Sequence, residues 1–141
     1  MERKEKILIV DDDPDVREAV SMMLEAKGYQ VVTAADGIEA LANVKADRPD
    51  LMILDLLMPK MDGFAVCKEL QDPRWVKHRV PILILSSVRE DASRRRYELE
   101  TGLQLGVDDY VEKPISQAKL LERVGKLIAR IRAAGQVERR T

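Results

Sequence analysis

Five short apolar runs, each closed by charged or turn-forming residues, set the rhythm of this chain. Ile7-Leu8-Ile9-Val10 is strongly β-branched and stops on Asp11-Asp12-Asp13. Tyr29 to Ala34 reads as a second strand and Leu51 to Asp55 as a third, with Pro59 and Asp62-Gly63 turning the chain away behind it. Ile82-Leu83-Ile84-Leu85 is a fourth, ending on Ser86-Ser87, and Val107 to Val111 a fifth, ending at Lys113-Pro114. Near-continuous apolar runs are the pattern of parallel strands buried on both faces.

Between these runs the apolar positions recur at helical spacing. Behind Pro14, which opens a helix where its missing N–H does no harm, Val16, Val20, Met23 and Leu24 share a face until Gly28 stops it. Asp36 caps a second helix carrying Ile38, Leu41 and Val44 on one face. Asp62-Gly63 leads into a third, with Phe64, Cys67 and Leu70 three apart. A charged fourth segment runs from about Asp91 to Leu105 and stops at Gly106. The last helix starts near Ser116 and aligns Leu120, Val124, Ile128 and Ile131. Gln71 to Arg79 reads as a polar loop that Trp75 packs against the third helix; His78, the only histidine, is a loop residue there.

Strand and helix therefore alternate five times, which predicts an α/β fold: a doubly wound, five-stranded parallel sheet with five helices on its two faces. Right-handed crossovers leave few topologies, and the expected strand order is 2-1-3-4-5. The domain spans residues 7–133, after a charged extension (1–6) and before a polar, frayed tail (134–141).

Composition narrows the class. The chain's 141 residues suit one domain with a proper core and are too few for two. A formal net charge of −1 argues against a nucleic-acid partner, which usually shows as a basic excess. The single cysteine, Cys67, cannot form an internal disulfide, and no Cys/His cluster points to zinc. No apolar run approaches the roughly eighteen residues of a membrane span, and the charged N-terminus is no signal peptide. A cytoplasmic location without membrane contact is expected.

In the expected order the first and third strands are neighbours, so Asp11, Asp12 and Asp55 meet at the edge where open α/β sheets collect their ligands. Ser86 and Lys113 arrive at the same edge. Alone, each has a plain structural reading as a cap, a turn or a strand end. Together, three crowded carboxylates resist ionising unless a cation shares them. Magnesium answers that with one or two carboxylates, waters and phosphate oxygens. The ammonium and the hydroxyl suit an anionic, oxygen-rich group, and in-line phosphoryl transfer onto one carboxylate is the simplest consistent chemistry.

The segments ILIVDDDPDVRE, LMILDLLMPKMDGF, PILILSS and VDDYVEKP resemble the signature segments of receiver domains of two-component response regulators, chemotaxis regulators included. The resemblance covers about residues 5 to 133 and implies a flavodoxin-like fold. It makes Asp55 the phosphoacceptor, with Asp12, Asp55 and the Leu57 backbone carbonyl as magnesium ligands and Asp11 acting through water. Ser86 is the implied switch hydroxyl, Lys113 the phosphate-pairing amine and Tyr110 the aromatic switch. Lys113–Pro114 is expected cis, aiming the lysine at the site. A sensor histidine kinase or phosphotransfer protein is the implied donor. The output is a change of the surface around the fourth helix, fifth strand and last helix, toward a protein target or a second copy. No catalysis beyond Mg-assisted phosphorylation and dephosphorylation of Asp55 itself is implied.

Two departures from that pattern stand out. About five extra residues fall somewhere in Val88 to Glu100, including Arg94-Arg95-Arg96, either a solvated helix face or a partner-specific surface. Ser86 also stands where threonine is common. By the same resemblance, the side chains two residues after the phosphoacceptor and the switch hydroxyl flank the approach of attacking water; here they are Leu57 and Val88, both apolar and expected to leave that water unoriented, so that phosphate leaves slowly. A rival reading is a haloacid-dehalogenase-like phosphatase with Asp11 as nucleophile, since Asp11-x-Asp13 echoes that family's opening motif. The later positions match receivers better.

Overall fold

The structure is a computed structural model and describes residues 4–87 and 106–140. Five parallel strands form one sheet: β1 (Lys6–Val10), β2 (Gln30–Ala34), β3 (Leu51–Leu54), β4 (Ile82–Ser87) and β5 (Asp109–Lys113), in the order β2-β1-β3-β4-β5. This is the expected flavodoxin-like order. Of the expected helices, α1 (Pro14–Ala26), α2 (Gly37–Asp47), α3 (Gly63–Leu70) and a C-terminal helix (Gln117–Arg140) are described. The fourth, and with it the insertion within Val88–Glu100, lies outside the described residues.

Alternation along each strand builds two cores. Leu8, Val10, Met52, Leu54 and Ile84 face α2 and α3, where Val44, Val66 and Leu70 meet them. Ile7, Ile9, Ile53, Leu83 and Leu85 face α1 and the C-terminal helix, meeting Val20, Leu24, Leu120 and Val124. Removing several methylenes from any of these buried positions costs about 2–5 kcal/mol. The sheet is thus clamped from both sides, and its upper edge inherits that rigidity.

Caps set the helix starts. Asp13, Asp36 and Asp62 each turn a side-chain oxygen onto a backbone N–H of the first turn of α1, α2 and α3. Gly28, at φ 92, ends the approach to β2 after α1.

Several elements differ from the sequence reading. β5 begins two residues later than expected, because Asp108 is spent on the start of β4: its N–H donates to the Ile82 carbonyl, and its Oδ2 accepts from the Ile82 N–H. β5 then continues to Lys113, paired opposite Ser87. Residues Pro73–His78 form a 3-10 turn within the expected loop. Trp75 is buried there, donating to Glu69 at 2.9 Å with Lys45 over its ring, and His78 meets it edge-on. Ile38 is 61% exposed, since Gly37, Ala40 and Val44 form the buried stripe of α2. The C-terminal helix runs through Gly135 to Arg140 instead of stopping. At the other terminus Lys6 is part of β1, and Glu5 pairs with Arg132 of the C-terminal helix, so part of the charged extension is tied into the fold.

Candidate functional site

The site follows from the register of β1 against β3. Val10 pairs with Leu54, so the next residue of each strand, Asp11 and Asp55, leaves the sheet side by side. The Asp55 N–H donates to the Val10 carbonyl at 2.9 Å and the Asp11 N–H to the Ala34 carbonyl at 3.1 Å, holding both acids to the frame. Carboxylate oxygens of Asp11, Asp12 and Asp55 lie within 4.8 Å of one another. Asp11 and Asp55 are buried and Asp12 is exposed.

Lys113 reaches this cluster from the end of β5. Its Nζ donates to Asp11 Oδ2 at 2.5 Å and stands 3.9 Å from Asp55 Oδ2. The Lys113–Pro114 bond is cis, as expected. One ammonium thus faces three carboxylates, and the local charge stays negative. Burial pushes the Asp55 carboxyl up from near 3.8 to about 6; Lys113 pulls against that, Asp11 adds to it, the Leu57 N–H opposes it and Asp12 adds a little more. Asp55 is thereby a carboxylate in want of positive charge.

The three acids are not equally free. Asp11 is committed at every polar atom: Oδ1 accepts from the Asp13 N–H at 2.9 Å, Oδ2 from Lys113, and the carbonyl from Arg17 Nη1 at 2.7 Å. Asp55 Oδ1 has one long contact, 3.4 Å from the Leu57 nitrogen. Asp12 accepts no side-chain hydrogen bond among the described residues. The set fits a hard divalent cation: two carboxylates with open oxygens, a third already bonded to Lys113 and the Asp13 N–H, and all-oxygen donors.

Ser86 is fully buried in β4, and its Oγ has no hydrogen-bond partner among the described residues. A buried hydroxyl without a partner is costly. Tyr110 lies in β5 opposite Ile84, part-buried against the α2–α3 core. Leu57 is 37% exposed in the loop after Asp55; Val88 lies outside the described residues. Cys67 is no competing nucleophile, because burial pushes its thiol up to about 12.

Sequence reasoning missed Arg17 and Lys60. Lys60 holds a left-handed backbone conformation, φ 65, in the loop behind Asp55, and its ammonium is 3.7 Å from Asp36. Neither carried a signal beyond its place next to a motif.

The family model of the response regulator receiver domain matches residues 7–125. The chain belongs to that family. It is a receiver domain of two-component response regulators, and phosphorylation on an aspartate is the mechanism of such domains. The chain is 41% identical over 125 residues to the alkaline phosphatase synthesis transcriptional regulatory protein PhoP of Bacillus subtilis, covering 89% of this chain and 49% of that protein. It is 41% identical over 133 residues to the response regulator MprA of Mycobacterium avium, covering 94% and 55%. The chain thus spans about half the length of these relatives. Among solved structures, the chemotaxis protein CheY4 of Vibrio cholerae superposes with a TM-score of 0.75 at 34% identity, over 89% of this chain and 99% of that one. The signal receiver domain from Bermanella marisrubri gives 0.78 at 32%, over 89% and 99%.

Membership of this family is consistent with a signalling role. It sets aside the phosphatase reading, in which Asp11 would be the nucleophile; both Asp11 oxygens are already engaged. The expectation of no direct nucleic-acid contact conflicts with the comparison, because PhoP is by name a transcriptional regulator. Near-neutral charge over this stretch does not speak for a longer protein. No helix among the described residues is long and apolar enough to cross a membrane.

Proposed function

We propose that Asp55 accepts a phosphoryl group from a histidine kinase or phosphotransfer protein in a magnesium-dependent step, and that the modification alters the surface formed by β5 and its neighbouring helices. The observation that carries this reading is the convergence of Asp11, Asp12 and Asp55 with Lys113 at one sheet edge.

Of the three acids, Asp55 combines burial, an open oxygen and a central position. Asp12 and Asp55 would hold the metal, with the Leu57 carbonyl and Asp11 as further, weaker contributors. Bound magnesium supplies positive charge that offsets both the crowded carboxylates and the incoming phosphoryl oxygens. Lys113 keeps its ammonium at the site and exchanges contact with carboxylate for contact with phosphate. Asp55 Oδ attacks phosphorus in line, the bond to the donor's leaving group breaks, and the electron pair goes with that group. Ser86 gains a phosphate oxygen as partner for its buried hydroxyl, and Tyr110 follows by repacking, a population shift between two conformers.

Incubation with a small phosphodonor such as acetyl phosphate tests the reading by intact mass. One phosphoryl adduct with magnesium, and none with a chelator, is expected; equal labelling under both conditions would contradict the metal's role.

A further inference from the structure

Arg17 sits in the first turn of α1, where the helix dipole disfavours a cation. Its Nη1 turns back across the cap and donates to the Asp11 backbone carbonyl at 2.7 Å. That oxygen belongs to the rigid planar unit linking Asp11 to the Asp12 nitrogen. Fixing the oxygen therefore fixes the plane from which Asp12 hangs. Asp12 has no other anchor on its side chain: it is exposed and accepts no side-chain hydrogen bond among the described residues. Asp11, by contrast, is also held by Asp13 and Lys113. The free acid is thus aimed through its neighbour's backbone.

We infer that Arg17 is a positioning residue for the divalent-cation site, orienting Asp12 toward the metal through the Asp11–Asp12 peptide plane. The inference rests on the reading of this acidic edge as a magnesium site. Charge and position act in opposite directions here, which makes the idea testable. Removing the cation bonded to the Asp11 carbonyl raises the negative potential at the site and by itself strengthens Mg2+ binding. Losing the aim of a direct ligand weakens it; groups that orient metal ligands typically contribute about tenfold or more in affinity. A guanidinium also reaches its acceptor from a rigid plane, whereas a lysine ammonium is a point charge on a flexible stem.

The experiment is a Mg2+ titration of the whole chain followed by amide NMR shifts, on the parent and on Arg17→Met, Arg17→Lys and Asp12→Asn, with thermal unfolding in chelator alongside. Arg17→Met is expected to raise the Mg2+ Kd roughly tenfold, with Arg17→Lys in between and unfolding midpoints in chelator close to the parent. An Arg17→Met Kd that is unchanged or lower overturns the positioning role, as does a lowered midpoint with an unchanged Kd. Should Arg17→Met fail to fold, Arg17→Lys decides: a parental Kd overturns the proposal. If Asp12→Asn binds Mg2+ as the parent does, the metal-site reading itself fails, whatever Arg17 does; if Asp12→Asn loses binding and the Arg17 variants do not, only the positioning role fails.

Discussion

Asp55 is 7% exposed, and burial rather than its neighbours is the main reason its carboxyl is held near 6. The sign of the consequence is opposite to that of a salt-bridged acid. In the metal-free protein the folded state keeps the proton to about pH 6, while the unfolded chain gives it up near 3.8. Between those values the folded state binds more protons, so stability falls as pH rises across the window, and the penalty is complete above it. Asp55→Asn removes the charge. It is expected to stabilise the metal-free protein by about 1–3 kcal/mol at pH 8 and by little below pH 4, read from urea unfolding at the two pH values. A gain that is the same at both pH values would contradict burial as the cause. Residues of this kind were legible in the sequence because each stands at a strand end, where an acid interrupts an apolar run. Arg17 was not: its role depends on a bond to a carbonyl six residues back, and a lone arginine on a helix carries no such signal.

At the scale of elements, the contact between the α3 N-terminus and the end of β3 governs where Asp55 sits. A Cβ on Gly63 would lie 2.3 Å from the Asp55 carbonyl oxygen and 2.8 Å from the Leu56 Cα. Both are backbone atoms and neither can yield cheaply. Gly125, inside the C-terminal helix, has open space at the same position. Gly63→Ala is therefore expected to destabilise by about 1–3 kcal/mol or more, and Gly125→Ala to stabilise by about 0.5–1 kcal/mol. Paired thermal unfolding curves check both signs. The strands and helices were largely legible, because apolar runs and capping aspartates are local signals. The start of β5 was not, since Val107 looks like a strand residue until Asp108 is drawn to Ile82. Nor was the exposure of Ile38, where the buried stripe uses Gly37 and Ala40, residues too small to register as hydrophobic.

Over the whole molecule, Asp109, Glu122 and Arg123, charges of both signs on β5 and the C-terminal helix that suit a contact between two copies, are already paired internally. Arg123 grips Asp109 through two hydrogen bonds of 3.0 and 3.1 Å, and Lys126 stands 3.3 Å from Glu122. Self-association through β5 and the C-terminal helix would exchange these pairs for equivalent ones across a two-fold axis. The exposed Lys126–Glu122 pair contributes little, while the part-buried Arg123–Asp109 pair is the one such an exchange would have to replace. Sedimentation with and without beryllofluoride and magnesium is expected to show a heavier species only with the phosphoryl mimic; a monomer under both conditions ends the idea. The doubly wound order was legible at this scale because β–α alternation and crossover handedness leave few alternatives. Which surface the signal reaches was not, since it depends on partners and on residues 88–105.

The central claim is that one carboxylate among three takes the phosphoryl group, and mapping the label tests it most directly. The chain is treated with a small phosphodonor and magnesium, and the adduct is located by peptide mass in the parent, Asp55→Asn and Asp11→Asn. Label is expected on the peptide containing Asp55 in the parent, and none in Asp55→Asn. Label that survives Asp55→Asn and disappears in Asp11→Asn would contradict it.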